Sequence, residues 1–316
     1  MKKIVITKND ENQRLDRFIT KLFSNAPKNY LMKMFRKNYF KVNSKKVKPD
    51  YILNNNDEIS IFFSDDTYEK FVKKKKNHSN KNINIIYEDE FFLIVDKDPG
   101  ILSHSNSKDR SENIIDNAIN YLIESGSYNP RGENTFIPAL CNRLDRNTSG
   151  LVIIGKTKEA LTDMNSYIKD RLVSKEYLTI VSGNFDKNGI FHSKICKDEN
   201  KNIVYKSDSK DAREIITEFS VIEKNQGYSL LNIKLITGKT HQIRYHLKEL
   251  GFPIIGDRKY NELYRGNYKN QILCAYKLSF DDEVIKKYPK LNKILYSNYM
   301  EKIINIFRRL KWKILF

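Results

Sequence analysis

Leu15, Phe18, Ile19 and Leu22 fall at i, i+3, i+4 and i+7, which puts four apolar side chains on one stripe of a helix, with Arg14 and Arg17 beside them. A second helix is predicted over 28–37, carrying Lys28, Lys33, Arg36 and Lys37. The period then changes. Tyr39-Phe40-Lys41-Val42-Asn43 alternates as a strand does, Asn43-Ser44 supplies a turn, and Ile59, Ile61 and Phe63 share one face of a further strand. From Asp65 to Asn82 no period is visible, and Lys73-Lys74-Lys75-Lys76 forms a like-charge block, so 65–82 reads as a basic linker.

After it, Ile83 to Lys97 holds two β-type runs around the acidic turn Glu88-Asp89-Glu90, a predicted hairpin. Amphipathic helices are predicted over 113–125 and 158–172, the second with Leu161, Met164, Ile168 and Leu172 on one stripe; the polar stretch 126–134 between them looks disordered. Strands are predicted over 173–183 and around Leu231, Ile233 and Leu235. The string Thr237 to Leu247 then begins a helix, which Gly251 ends and Pro253 forbids from continuing. Ile303 to Trp312 reads as a basic amphipathic helix, expected to pack on its own domain. Between Asn184 and Gly227 no motif that carries chemistry is visible.

With 316 residues, 40% of them hydrophobic, the chain can bury one large core or a large and a small one. Its 57 Lys and Arg against 39 Asp and Glu give +18, an excess that suits a polyanion, nucleic acid or an acidic membrane surface. No apolar run approaches a membrane span, and Asn9, Asp10 and Glu11 interrupt any signal region after Met1. Cys141, Cys196 and Cys274 suit neither a disulfide framework nor a zinc site. A soluble, cytoplasmic protein is expected, with no membrane partner.

The stretch around which the chain is organised is Cys141-Asn142-Arg143-Leu144-Asp145-Arg146-Asn147-Thr148-Ser149-Gly150, a turn feeding the apolar run Leu151 to Ile154. Asp145 stands between Arg143 and Arg146, and an acid between two cations is expected to stay ionised, as a nucleophile or fixed counter-charge. The string resembles the R-L-D-x-x-T-S-G signature of RluA/RluD-type pseudouridine synthases, in which the Asp is the catalytic nucleophile. Further stretches are similar to that family. Lys97-Asp98-Pro99-Gly100 resembles its Lys-Pro-x-Gly turn with the Pro displaced, and Ser103-His104 closes the segment after it. Lys175-Glu176-Tyr177 resembles its K-x-Y strand. Thr237-Gly238-Lys239-Thr240-His241-Gln242-Ile243-Arg244 resembles T-G-R-T-H-Q-I-R with Lys239 in place of the first Arg, a change that keeps charge but loses the bidentate fork. Gly251-Phe252-Pro253-Ile254-Ile255-Gly256-Asp257 completes the family's G-x-P-I-x-G-D ending. Near the start, Arg14-Leu15-Asp16-Arg17-Phe18, the turn at Val42 to Val47 and Asp57-Glu58-Ile59-Ser60-Ile61 resemble an S-four-type RNA-binding domain, with Asn54-Asn55-Asn56 where that domain has Gly.

The resemblance runs from Arg14 to about Leu278. It implies an α+β protein: a small α/β RNA-binding domain at 1–64, the linker 65–82, and a catalytic domain at 83–316 with a mixed, largely antiparallel sheet flanked by helices. It implies an isomerase that turns specific uridines of RNA into pseudouridine, in large-subunit ribosomal RNA ahead of transfer RNA; a monomer is expected. Asp145 would be the nucleophile, Arg244 its partner and Tyr177 the surface against the target base. Tyr177 is also a candidate proton acceptor. A βαβ-like excursion between Asp145 and Tyr177 could bring the two together. Arg14, Arg17, Lys33, Arg36, Lys37, Arg143, Arg146, Lys239, His241 and Gln242 would contact RNA. The rearrangement is intramolecular and redox-neutral, so no cofactor or metal is expected, and His241 and His246 have no acid or Cys in register for one. Asn142 replaces the family's usual His, for which a packing change is expected. A binding-only protein is disfavoured because Asp145, Tyr177 and Arg244 are all present. An aspartyl-phosphate enzyme is disfavoured because Asn147 stands where a second, magnesium-binding acid belongs.

Overall fold

The computed structural model describes residues 1–72, 83–105, 109, 111–130, 132–225, 227–262, 264 and 266–312 (backbone alone at 311 and 312). It divides into two compact units. One comprises Met1–Asn80, Ile119–Ala139 and Gly155–Thr162; the other comprises Lys81–Ala118, Leu140–Ile154 and Asp163–Phe316. The expected domains are consecutive, whereas here two later pieces of chain group with the N-terminal residues.

The N-terminal part of the first unit holds β1 (Lys2–Val5), α1 (Leu15–Leu22), α2 (Lys28–Arg36), β2 (Phe40–Val42), β3 (Glu58–Ile61) and α3 (Asp65–Phe71). The strands pair antiparallel in the order β1-β3-β2. The α1 stripe, Leu15, Phe18, Ile19 and Leu22, is buried with Leu31, Met34 and Phe35 of α2 in one core. At about 1.5–3 kcal/mol for each fully buried large apolar side chain, this packing holds helices too short to stand alone. Asn56 takes φ 67°, the left-handed conformation that Asn tolerates in place of Gly.

Two expectations are corrected in this unit. The first residues of the expected linker form α3: the Ser64 side chain accepts from the Thr67 N–H, Asp65 and Asp66 suit the positive end of the helix, and Tyr68 and Phe71 pack on the core. Seven residues carry too little periodicity to be read. The Lys73 to Lys76 block lies outside the described residues. The polar stretch expected to be disordered is tied down instead, because buried Asp10 accepts from Thr135 Oγ1 at 2.6 Å and Asn134 Nδ2 at 2.9 Å, and Tyr128 donates to the Phe136 carbonyl.

The chain continues with β4 (Asn84–Glu88), β5 (Phe92–Lys97), α4 (Ile114–Glu124), β6 (Ala139–Leu140), β7 (Ser149–Gly155), α5 (Lys158–Lys169) and β8 (Val173–Ser182). Then come β9 (Gly189–Asp198), β10 (Ile203–Lys206), β11 (Arg213–Asn225), β12 (Tyr228–Leu235), α6 (Gln242–Glu249), β13 (Leu273–Phe280), α7 (Asp282–Lys287), β14 (Ile294–Tyr296) and α8 (Tyr299–Trp312). One sheet runs β10-β9-β11-β12-β8-β13-β7-β5-β4, with β14 on β13 and β6 on β7. It is mixed and largely antiparallel, with helices flanking it, and the fold is α+β. The hairpin β4–β5 is as expected. Ile303 and Phe307 of α8 are buried with Leu178, Ile180, Leu230 and Cys274 of the sheet, so this helix packs on its own unit. No helix among the described residues is long and apolar enough to cross a membrane.

The expected strand-helix-strand excursion is present as β7, α5 and β8, but β7 and β8 are not parallel neighbours as in a βαβ unit. β13 lies between β7 and β8, parallel to the first and antiparallel to the second. Gly150, Ala275 and Tyr177 therefore stand in one cross-strand row. Gly150 has φ 111°, and a Cβ there would lie 2.3 Å from the Ala275 carbonyl oxygen. The glycine that closes the Asp145 string is thus what lets β13 come alongside β7.

Candidate active site

Asp145 sits on a loop just before β7, and that loop is anchored from below by residues far away in sequence. Lys97, at the end of β5, is fully buried and donates to the carbonyls of Asp98, Ile101 and Arg146 at 2.8–2.9 Å. The Gly100 N–H donates to the same Arg146 carbonyl at 2.9 Å. Ser103 Oγ donates to the Leu144 carbonyl at 2.6 Å and accepts the Leu144 N–H at 2.9 Å. The residues on both sides of Asp145 are therefore fixed. Burial pushes the Lys97 ammonium down to about 7, with the nearby Asp145 and Asp98 charges acting the other way. Asn142 is also buried; its side chain accepts from Ile153 N–H at 2.7 Å and donates to the Leu151 carbonyl, stitching this segment to β7.

The carboxylate is held by Arg244, from the first turn of α6. Arg244 Nη1 donates to Asp145 Oδ2 at 2.9 Å, while Nε and Nη2 donate to Asp257 Oδ2 and Oδ1 at 2.7 and 2.9 Å. Arg244 and Asp257 are both buried, and the fork geometry fits a carboxylate in two parallel bonds. Burial opposes the Arg244 charge, but Asp257 and Asp145 outweigh it and raise its pKa. The Arg244 guanidinium also lies 5.1 Å from the Tyr260 ring centre.

His241 precedes α6 with φ 53°, a strained value for a residue with a side chain. Its Nδ1 is 2.9 Å from the Tyr260 hydroxyl, and its Nε2 is 3.8 Å from Asp145 Oδ2. Burial pushes its pKa down to about 4, so near neutral pH the ring is uncharged and the approach to Asp145 is not an ion pair.

These groups open on a cavity of about 400 Å³, lined among others by Asp145, Lys175, Tyr177, Lys239 and Arg244. Tyr177 is buried, and burial followed by the Asp145 charge raises its phenol pKa, so it keeps its proton at neutral pH. Lys175 stands two residues before it on β8, its pKa lowered by burial. Among the described residues, no cluster of His, Cys, Asp and Glu could hold a metal ion.

Asp145, Tyr177 and Arg244 thus come together, while several expectations change. Arg143 and Arg146 do not pair with Asp145: Arg146 turns away to Asp109 and Ser111, and Arg143 is exposed on the cavity wall. Gln242 is not available to RNA. It is buried, accepting from Lys239 N–H and Thr237 Oγ1 and donating to Ile216 O and Thr217 Oγ1, all at 3.0 Å. His241 is buried at the site's floor, beside the acid. Lys239 is exposed. In the first unit Arg17, Lys33, Arg36 and Lys37 are exposed, opposite the buried faces of their helices, and Arg14 is exposed with an ion pair to Asp16 at 2.8 Å. Asp257 is the functional residue sequence reasoning did not assign. Its only signal was its place at the end of the G-x-P-I-x-G-D string.

Residues 91–249 match the family described as RNA pseudouridylate synthase. A ribosomal large subunit pseudouridine synthase C of Buchnera aphidicola is 34% identical over 81% of this chain and 79% of its own length. A ribosomal large subunit pseudouridine synthase D of Borreliella burgdorferi is 31% identical over 90% of this chain and 89% of its own. Among solved structures, human RNA pseudouridylate synthase domain containing 4 shares the fold, with TM-score 0.57 over 72% of this chain and 92% of that one, at 20% identity. The chain belongs to the RNA pseudouridylate synthase family. It is a pseudouridine synthase, an isomerase whose substrate is RNA.

Proposed function

We propose that this enzyme isomerises specific uridines of large-subunit ribosomal RNA, with Asp145 as nucleophile. The observation that carries the reading is the Asp145 carboxylate held by Arg244, itself clamped by Asp257, in a cavity walled by Tyr177. The names of the Buchnera and Borreliella relatives support the choice of RNA.

The reaction breaks the bond from ribose to the uracil nitrogen and forms one to a ring carbon, which loses its proton while the nitrogen gains one. The target base has to leave its stack, at a few kcal/mol, and needs a replacement surface. Tyr177 supplies it. Arg244 occupies Oδ2 of Asp145, which leaves Oδ1 to attack ribose or uracil. The phenol that keeps its proton suits stacking and hydrogen-bond donation better than proton acceptance. Residues 1–64 act as an S-four-type RNA-binding domain through Arg14, Arg17, Lys33, Arg36 and Lys37, and 83–316 as the catalytic domain. The enzyme acts as a monomer.

The test is tritium release from ribosomal RNA labelled at uridine C5 and extracted from cells lacking the gene. Purified wild-type protein is expected to release tritium and Asp145→Asn none. Release by both proteins would remove Asp145 from the mechanism, and release by neither would remove ribosomal RNA.

A further inference from the structure

A second cavity, of about 640 Å³, lies on β9, β10 and β11 and shares Gly238, Lys239 and Thr240 with the first. The two cavities adjoin, so a polymer with one residue in the first can carry a neighbouring residue past this wall. The chemistry of the wall suits a nucleotide. Arg213 and Lys239 are exposed and form no ion pair among the described residues, whereas Lys197 is taken by Glu199 at 2.6 Å. Asp211 opposes them at the rim, and even so the lining cations outnumber the acids. Tyr205 lies on the edge strand β10 and is 48% exposed, a large aromatic surface left to solvent where edge strands ordinarily carry charge. Unpaired cations beside an exposed aromatic ring are the two parts of a single-strand platform, one for phosphate and one for the flat face of a base.

We propose that this cavity holds a nucleotide next to the target uridine on the same RNA strand, with its base stacked on Tyr205 and its phosphate between Arg213 and Lys239. The proposal rests on RNA being the substrate and is independent of which RNA carries the target. Stacking is sequence-tolerant, so the cavity sets grip and register, not base identity.

The test uses the full chain and a single-stranded dodecauridylate bearing 5-iodouridine. Irradiation is expected to crosslink the peptide containing Tyr205, and Tyr205→Ala to lose that crosslink and weaken binding about 5- to 100-fold. Tyr205→Phe keeps the ring and should bind as wild type. Arg213→Gln should lower the slope of log affinity against log salt by about one. Both side chains are exposed, so neither change threatens the fold. Crosslinks confined to other segments, with wild-type affinity and salt slope in both variants, would overturn the proposal. Pseudouridine formation is scored separately, so an inactive wild-type enzyme would strike the functional reading and leave these crosslinking outcomes to decide this one.

Discussion

Around Asp145 the charges are answered inside the protein. Arg244 bonds to Asp145 and Asp257, and His241 beside them is neutral. In the second cavity Arg213, with Lys239 of the shared Gly238 to Thr240 wall, stands in solvent and forms no ion pair among the described residues. The difference is one of task. A half-buried carboxylate that must present one oxygen in one direction needs a fixed partner, and that partner, itself buried, needs its own. A surface that grips a polymer gains from cations left unpaired, since each phosphate contact then displaces counterions and not an internal acid.

Changes on the buried side should therefore be severe. Asp145→Asn is expected to lower kcat by about 10⁴-fold or more while leaving the fold intact, as read by single-turnover kinetics and circular dichroism. Activity within tenfold of wild type would mean the Arg244 pair is structural. Asp257→Asn should lower stability by about 3–5 kcal/mol in urea unfolding, because Arg244 loses the carboxylate that balances it in the interior. A loss below about 1 kcal/mol would place Asp257 with the surface pairs. Gly150→Ala should cost about 1–3 kcal/mol, from the clash with Ala275 and the positive φ, and should disturb the site by parting β7 from β13.

The last effect is a slope. The folded-state pKa of Lys97, about 7, lies below its ordinary value of 10.5. Between those limits the unfolded chain binds more protons, so this residue makes stability rise with pH, by at most about 1.4 kcal/mol per pH unit. Urea unfolding from pH 7.5 to 9.5 should show that rise in wild type and less of it in Lys97→Met; equal slopes would mean that Lys97 is not titrating.

What could be read from the chain follows the same division. The α1 stripe was legible because burial constrains residue types at helical spacing, whereas Asp145, Tyr177 and Arg244 stood out through the resemblance of their strings to the family, since a lone Asp beside Arg or a strand Tyr is otherwise ordinary. Arg143 and Arg146 misled, since adjacency in sequence says nothing about where side chains turn. Asp257, Lys97 and Ser103 were visible as letters but not as partners, because their contacts join distant segments. The β9–β11 cavity left no string at all: an exposed Tyr and a few cations are ordinary surface until a sheet sets them beside the site.

The most direct test of the central claim is chemical mapping of pseudouridine along large-subunit ribosomal RNA from cells lacking the gene, complemented with wild type or Asp145→Asn. Defined sites should vanish on deletion and return with wild type alone. Sites that persist in the deletion, or return with Asp145→Asn, would contradict the account.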